Sequence, residues 1–258
     1  SYIVSPATPE IQKAKDLAAK AAVDSVELKD QMAIGIGSGS TVVFAVRHLE
    51  QKCADLGGIL YFVLITNRDR IITNYNTFVC AFLGIILNCV PTSFQAQQLI
   101  TESEHLHLSN LDISPILEVA IDGADEIDPQ LNLIKGGGGC ALQEKVVAAC
   151  AKRLIIIADS SKISPRLGHV WRRGVPLEVL PMAVAPVRRR IAETLGAKSV
   201  EFRMAIRKAG PTITDHGNVI VDADFGDIDN VKELNRALLD IPGERVWSTK
   251  CMYVCERR

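Results

Sequence analysis

Charge of one sign is missing from this sequence. Lys and Arg total 29 against 30 Asp and Glu, a net charge of −1 over 258 residues. A chain this close to neutral has no overall field to hold a polyanion, which argues against nucleic acid as a partner. The run Arg188-Arg189-Arg190 then reads as a solvated helix face. Paired cysteine motifs are missing too. The seven cysteines form no C-x-x-C, and Cys251 and Cys255 come nearest. Reduced thiols in a reducing, cytoplasmic compartment are the expectation. No basic segment followed by an apolar run opens the sequence, so no secretory signal is expected. The most apolar stretch, 78–90, is shorter than the roughly 20 residues of a membrane span, and Asn88 interrupts it. The expected partners therefore include neither nucleic acid nor a membrane. There is no G-x-S-x-G elbow of the α/β-hydrolases, and the five scattered histidines supply no set of zinc ligands.

What is present is a globular composition, 48% hydrophobic and 23% charged. The length suits one or two domains that bury a core without disulfide or metal. Residues 9–29 carry apolar positions at helical spacing (Ile11, Ala14, Leu17, Ala18, Ala21, Ala22, Val26). Compact apolar runs at 116–121, 154–158 and 219–221 read as strands, and the first two end in polar residues, as does the run before Gly37. Buried strands separated by helical segments indicate an α/β fold with a parallel, Rossmann-like sheet, whose ligands bind at the carboxyl ends of the strands. After prolines 176, 181 and 186 the texture changes to a smaller α+β unit. The expected division is an α/β domain over 1–180 and a small α+β domain over 181–242, with 60–84 an insertion and 243–258 an atypical tail returning towards the first.

Four motifs carry chemistry. GIGSGST (35–41) is strand, glycine turn and helix start, which presents free N–H groups to a phosphate. It is neither the G-x-G-x-x-G fingerprint nor a P-loop. AIDGADEID (120–128) crowds Asp122, Asp125, Glu126 and Asp128 at a strand end. Such a cluster reads as a metal site, as catalytic carboxylates, or as a solvated acidic turn that caps a helix. IKGGGGCALQEK (134–145) spends backbone entropy on four glycines. Lys135 before them and Glu144 after them suit proton transfer beside a developing oxyanion. In LIIIADSSK (154–162), Lys162 at a strand end can neutralise a phosphate or the acidic cluster.

These motifs, with PTSFQAQQLI, PLEVLPMA, KAGPTITDHGNVIVD and the late IPG, stand in an order that resembles the type A ribose-5-phosphate isomerases, from about residue 9 to 243. The resemblance implies an enzyme that interconverts D-ribose 5-phosphate and D-ribulose 5-phosphate, in the non-oxidative pentose phosphate pathway. It implies a sugar phosphate as ligand, no organic cofactor, no metal, and a homodimer or homotetramer. It places Ser38, Gly39, Ser40 and Thr41 on the sugar phosphate. Asp122, Gly123, Ala124 and Asp125 become the acidic substrate-binding loop, and Lys135, Gly136, Gly137 and Gly138 the glycine-rich one. Glu144 becomes the proton acceptor and Lys162 a further substrate-binding lysine. The chemistry this implies is an enediolate formed by Glu144 and stabilised by Lys135, with Asp122 moving protons in ring opening and Asp125 binding a hydroxyl. Three features depart from the family pattern: the 60–84 segment, the tail, and Leu142 where a threonine is usual. The alternative reading is a non-catalytic sugar-phosphate-binding protein on the same scaffold. A sugar-phosphate deaminase or an acyl-CoA transferase fits the joint DGADE and KGGGG motifs less well.

Overall fold

A computed structural model describes residues 8–56, 59–63 and 79–243. Helices α1 (Pro9–Asp24), α2 (Val42–Leu56), α3 (Phe94–Thr101) and α4 (Ala141–Cys150) surround the first sheet. Its strands are β1 (Ala33–Ile36), β4 (Leu87–Pro91), β5 (Leu106–Leu108), β6 (Val119–Gly123) and β9 (Leu154–Ile157). Between them lie two hairpins, β2 (Ile59–Val63) with β3 (Val79–Leu83), and β7 (Glu126–Ile127) with β8 (Leu133–Ile134). A second sheet follows from β10 (Val175–Val179), β11 (Ser199–Phe202) and β12 (Val219–Asp224), with α5 (Val184–Thr194) and α6 (Val231–Leu239).

The first sheet is parallel throughout, in the order β5-β4-β1-β6-β9. Both faces are covered, and the strands show it by alternation. Ile34, Ile36, Leu87, Cys89, Val119, Ile121, Ile155 and Ile157 face the core that takes in α1 and α2. Val90 and Ala120 point the other way, onto Val147 of α4. The chain moves outward from β1 to β4 and β5, then returns to add β6 on β1's free side. That reversal opens a crevice at the carboxyl ends of β1 and β6, where ligands bind in such sheets. The motif loops 37–41 and 122–125 sit there.

The second sheet is antiparallel, in the order β10-β12-β11. It begins at Val175, ahead of the boundary expected at residue 180. Pro176 obscured β10 in the sequence, yet β10 is an edge strand, where proline costs no ladder bond. Helix α1 ends at Asp24, earlier than the expected Lys29. Its buried stripe is Lys15, Ala19, Ala22 and Val23, which leaves Leu17 exposed. Of the expected 60–84 insertion, the described strands β2 and β3 pair only with each other, and 64–78 lie outside the described residues. The expected tail after Gly243 also lies outside them. No described helix is long and apolar enough to cross a membrane.

Candidate active site

Loop 37–41 leaves β1 at Gly37, whose own N–H bonds to the Ile121 carbonyl at 2.8 Å. A Cβ on Gly37 would come within 2.6 Å of the Asp122 Cα, so only glycine lets β1 and β6 approach here. The Ser38 hydroxyl is occupied by Thr92 (2.8 Å) and Ser93 (2.7 Å), and its N–H donates to Asp122 Oδ1 at 3.2 Å. Gly39 N–H goes to Gln95 Oε1 at 2.9 Å. The N–H groups of Ser40 and Thr41 find no acceptor among the described residues. They stand at the start of α2, where the helix dipole favours an anion. Lys15 donates to Ser40 Oγ at 2.8 Å and brings a buried cation to the same turn. The sequence reading missed Lys15; the signal was a charged residue in register with Ala19, Ala22 and Val23.

The acidic cluster divides in two. Glu126 accepts the N–H groups of Gly168 and Val170, both at 2.6 Å, and Asp128 accepts N–H and Nδ2 of Asn132, both at 2.7 Å. These two carboxylates pin loops, and the hairpin β7–β8, rather than a helix, follows. Asp122 and Asp125 face the crevice instead. Among the described residues no group of three or more His, Cys, Asp and Glu side chains could hold a metal ion.

The β7–β8 hairpin folds Lys135 back onto Asp122. Lys135 Nζ lies 2.9 Å from Asp122 Oδ2, 2.5 Å from the Gly123 carbonyl and 3.2 Å from Glu144 Oε2. All three side chains are buried, at 6%, 3% and 5% exposure. The Glu144 contact is ionic without hydrogen-bond geometry. Glu144 Oε2 is the one buried side-chain oxygen or nitrogen lacking a hydrogen bond among the described residues. Burial pushes the Glu144 carboxyl up to about 7, against the pull of Lys135 and with help from the charge of Asp122. Burial alone would lower the Lys135 ammonium; Asp122 and Glu144 outweigh it and hold it above the ordinary lysine value.

The glycine loop joins these groups. Gly137 N–H donates to Asp125 Oδ2 at 2.7 Å, and a Cβ there would fall 2.5 Å from Asp125 Oδ1. The residue before α4, Cys140, offers no side-chain cap. Glu178 of β10 caps the helix instead, accepting Leu142 N–H at 3.0 Å. Gly123 ends β6 and Ala124 links it to Asp125, and Lys162 ends the short helical turn 160–162 after β9. Lys162 is half-buried and has no ion pair or hydrogen bond to another side chain among the described residues. An apolar cavity of about 580 Å³, lined by Val90, Pro91, Leu142, Gln143 and His216, opens beside α4. It contains none of the carboxylates or lysines above, so the chemistry lies in the crevice and not there.

A doubly wound α/β sheet with free N–H groups at a helix start and a buried Glu–Lys–Asp triad at its switch point fits a class: enzymes that move protons on small phosphorylated substrates. Residues 88–245 match the family model for ribose 5-phosphate isomerase A (phosphoriboisomerase A). A ribose-5-phosphate isomerase of Homo sapiens is 44% identical over 244 residues, covering 94% of this chain and 69% of its own length. One of Candida albicans is 42% identical, covering 90% and 85%. The solved ribose 5-phosphate isomerase A of Methanocaldococcus jannaschii aligns with a TM-score of 0.72 and 35% identity over 90% of this chain and 88% of that one. A D-ribose-5-phosphate isomerase in complex with phospho-erythronic acid aligns with a TM-score of 0.72 and 34% identity, over 91% and 88%. The chain belongs to the ribose 5-phosphate isomerase A family.

Proposed function

We propose that this enzyme interconverts D-ribose 5-phosphate and D-ribulose 5-phosphate, with Glu144 as the general base. The observation that carries this is the buried Glu144 oxygen without a donor, 3.2 Å from the Lys135 ammonium. A buried carboxylate oxygen that has an ion pair but no well-formed hydrogen bond costs stability and marks a working group. The N–H groups of Ser40 and Thr41, with Lys15 and Lys162, take the phosphate, and Gly39 leaves room beside it. In ring opening Asp122 accepts the O1 proton and returns it to O4 as the C1–O4 bond breaks. Glu144 then takes the C2 proton. The C–H electron pair becomes the C1=C2 bond, and O1 gathers negative charge facing Lys135 and the glycine-loop N–H groups. Transfer of the O2 proton to O1 and of the Glu144 proton to C1 gives the ketose. Asp125, held by Gly137, binds a substrate hydroxyl.

Hydrogen is only rearranged within the substrate, and Lys135 with the glycine-loop N–H groups meets the developing charge, so the scheme calls for no organic cofactor and no metal. The two phospho-sugars are small-molecule ligands of a crevice, and the runner-up, a protein that binds them without turnover, lacks a use for a carboxyl titrating near neutrality. A cytoplasmic homodimer or homotetramer completes the reading, and the free thiols found among the described residues, Cys53, Cys89, Cys140 and Cys150, agree with a reducing compartment. The test is isomerisation of ribose 5-phosphate by the purified chain in EDTA. Turnover should persist in the chelator and fall about 10²–10⁴-fold in Glu144→Gln. Near-wild-type turnover by the variant would exclude Glu144 as the base.

A further inference from the structure

Four consecutive glycines leave the orientation of the loop undecided. A Gly–Gly peptide has no Cβ on either side, so its plane turns over at little cost, and 136–139 contain three such peptides. A trans peptide carries its carbonyl and its N–H on opposite sides. Whatever holds the carbonyls therefore decides which way the N–H groups face.

Arg203, the residue after β11, holds them, sharing the Gly136 carbonyl with the Gly139 N–H (3.0 Å) and holding the Gly137 carbonyl alone among the described residues. Its Nη1 donates to the carbonyls of Gly136 and Gly137, each at 3.0 Å. Its Nε (2.9 Å) and Nη2 engage the two oxygens of Asp222 on β12. The paired side chains are only 10% and 14% exposed, so the guanidinium fork is fixed on the second sheet. Both carbonyls point to one nitrogen, so the two N–H groups point away from it. Gly137 N–H reaches Asp125. Gly138 N–H has no acceptor among the described residues, and the space beside its Cα is open.

We propose that Arg203 is a positioning residue for the isomerisation. By drawing the Gly136 and Gly137 carbonyls to itself it keeps the Gly138 N–H turned towards the oxygen that becomes negative. This rests on the isomerase reading. A flipped 137–138 peptide would set a carbonyl oxygen against the enediolate and exchange attraction for repulsion. Asp222 orients the fork in turn. A lysine at 203 offers one nitrogen and cannot serve both carbonyls and both Asp222 oxygens at once.

The experiment uses the full chain with Arg203→Met, Arg203→Lys and Asp222→Asn. Two inhibitors are compared: phospho-erythronic acid, whose carboxylate mimics the charged enediolate, and erythritol 4-phosphate, which keeps the phosphate and hydroxyls without that charge. Arg203→Met should lower kcat roughly 10–100-fold with KM changed less than about threefold. Its affinity for the carboxylate inhibitor should fall about tenfold or more while that for the polyol holds within about twofold, and Arg203→Lys should recover part of the loss. Parallel weakening of both inhibitors, or an unchanged kcat, would overturn the proposal. Should Arg203→Met fail to fold, the same ratio in Asp222→Asn decides. Wild-type turnover tests the isomerase reading by itself, and the inhibitor ratio tests Arg203 whatever the turnover.

Discussion

Glu144 occupies a place that resists its ionised form. The triad holds one cation against two carboxylates, and water reaches none of them freely. Its pKa of about 7, against an ordinary 4.5, means that the folded chain holds this proton where the unfolded chain has released it. Folded-state stability contributed by the neutral acid is full below about pH 4.5 and is lost as pH rises to about 7. Catalysis needs the opposite form, so kcat/KM should climb with pH through about 7 and level off above it. A profile already flat from pH 5.5 upward would contradict a base tuned by burial. The same reasoning predicts that Glu144→Gln, inactive, is the more stable protein at pH 8, by on the order of 3 kcal/mol. Thermal melts of both proteins from pH 4.5 to 8 check this, and the gap should close towards the acid end. The residues proposed to react were legible in the sequence as short motifs, and the structure brings Asp122, Lys135 and Glu144 together. Lys15, Glu178 and Arg203 were not, since each acts on a loop 25 to 67 residues away. Only Lys15 left a trace, a charge on an otherwise apolar helical stripe.

Helix α4 shows how an element is held when its own sequence offers no cap. Cys140 gives the first turn no acceptor, and Leu142 carries no polar group to supply one. Glu178 supplies the missing bond from another sheet. It is 1% exposed and fully used: Leu142 N–H on one oxygen, Thr214 Oγ1 (2.8 Å) and Asn218 Nδ2 (3.0 Å) on the other. A buried carboxylate with three donors stabilises strongly, and its loss leaves all three unpaired. Glu178→Gln, which keeps the shape but meets a donor with a donor, should cost roughly 1–3 kcal/mol in urea unfolding. Glu178→Ala should cost more, and kcat should fall in both because Glu144 lies only two residues beyond Leu142 in the same first turn. A variant with wild-type stability would show that α4 caps itself by other means. The sequence pattern set Glu144 behind the four glycines, and α4 is the helix found there. What the pattern could not reveal was the partner of its first turn, because a carboxylate inside a strand reads as an anomaly until the neighbouring helix is placed against it.

At the scale of the molecule, the two sheets are joined through the catalytic segment and not merely beside it. One core runs from Ile127, Leu133 and Ile156 of the first unit to Leu177, Val179, Val187, Val200, Val221 and Ile241 of the second. A smaller one joins Ile134 to Leu167 and Ile228. Residues 133–142 thus lean on both: their apolar side chains fill a shared core, their carbonyls meet Arg203, and their helix start meets Glu178. The division expected near residue 180 separates the motifs from the frame that aims them, since β10 and β12 supply part of that frame. Two units that share a core this way do not unfold independently. Urea unfolding followed by far-UV circular dichroism and by loss of turnover should therefore give one midpoint. If activity instead disappeared at a clearly lower urea concentration than the bulk of the secondary structure, the second sheet would be opening by itself. The Arg203 and Glu178 contacts would then be the weak seam of the molecule, and substitutions there would lower the first midpoint alone.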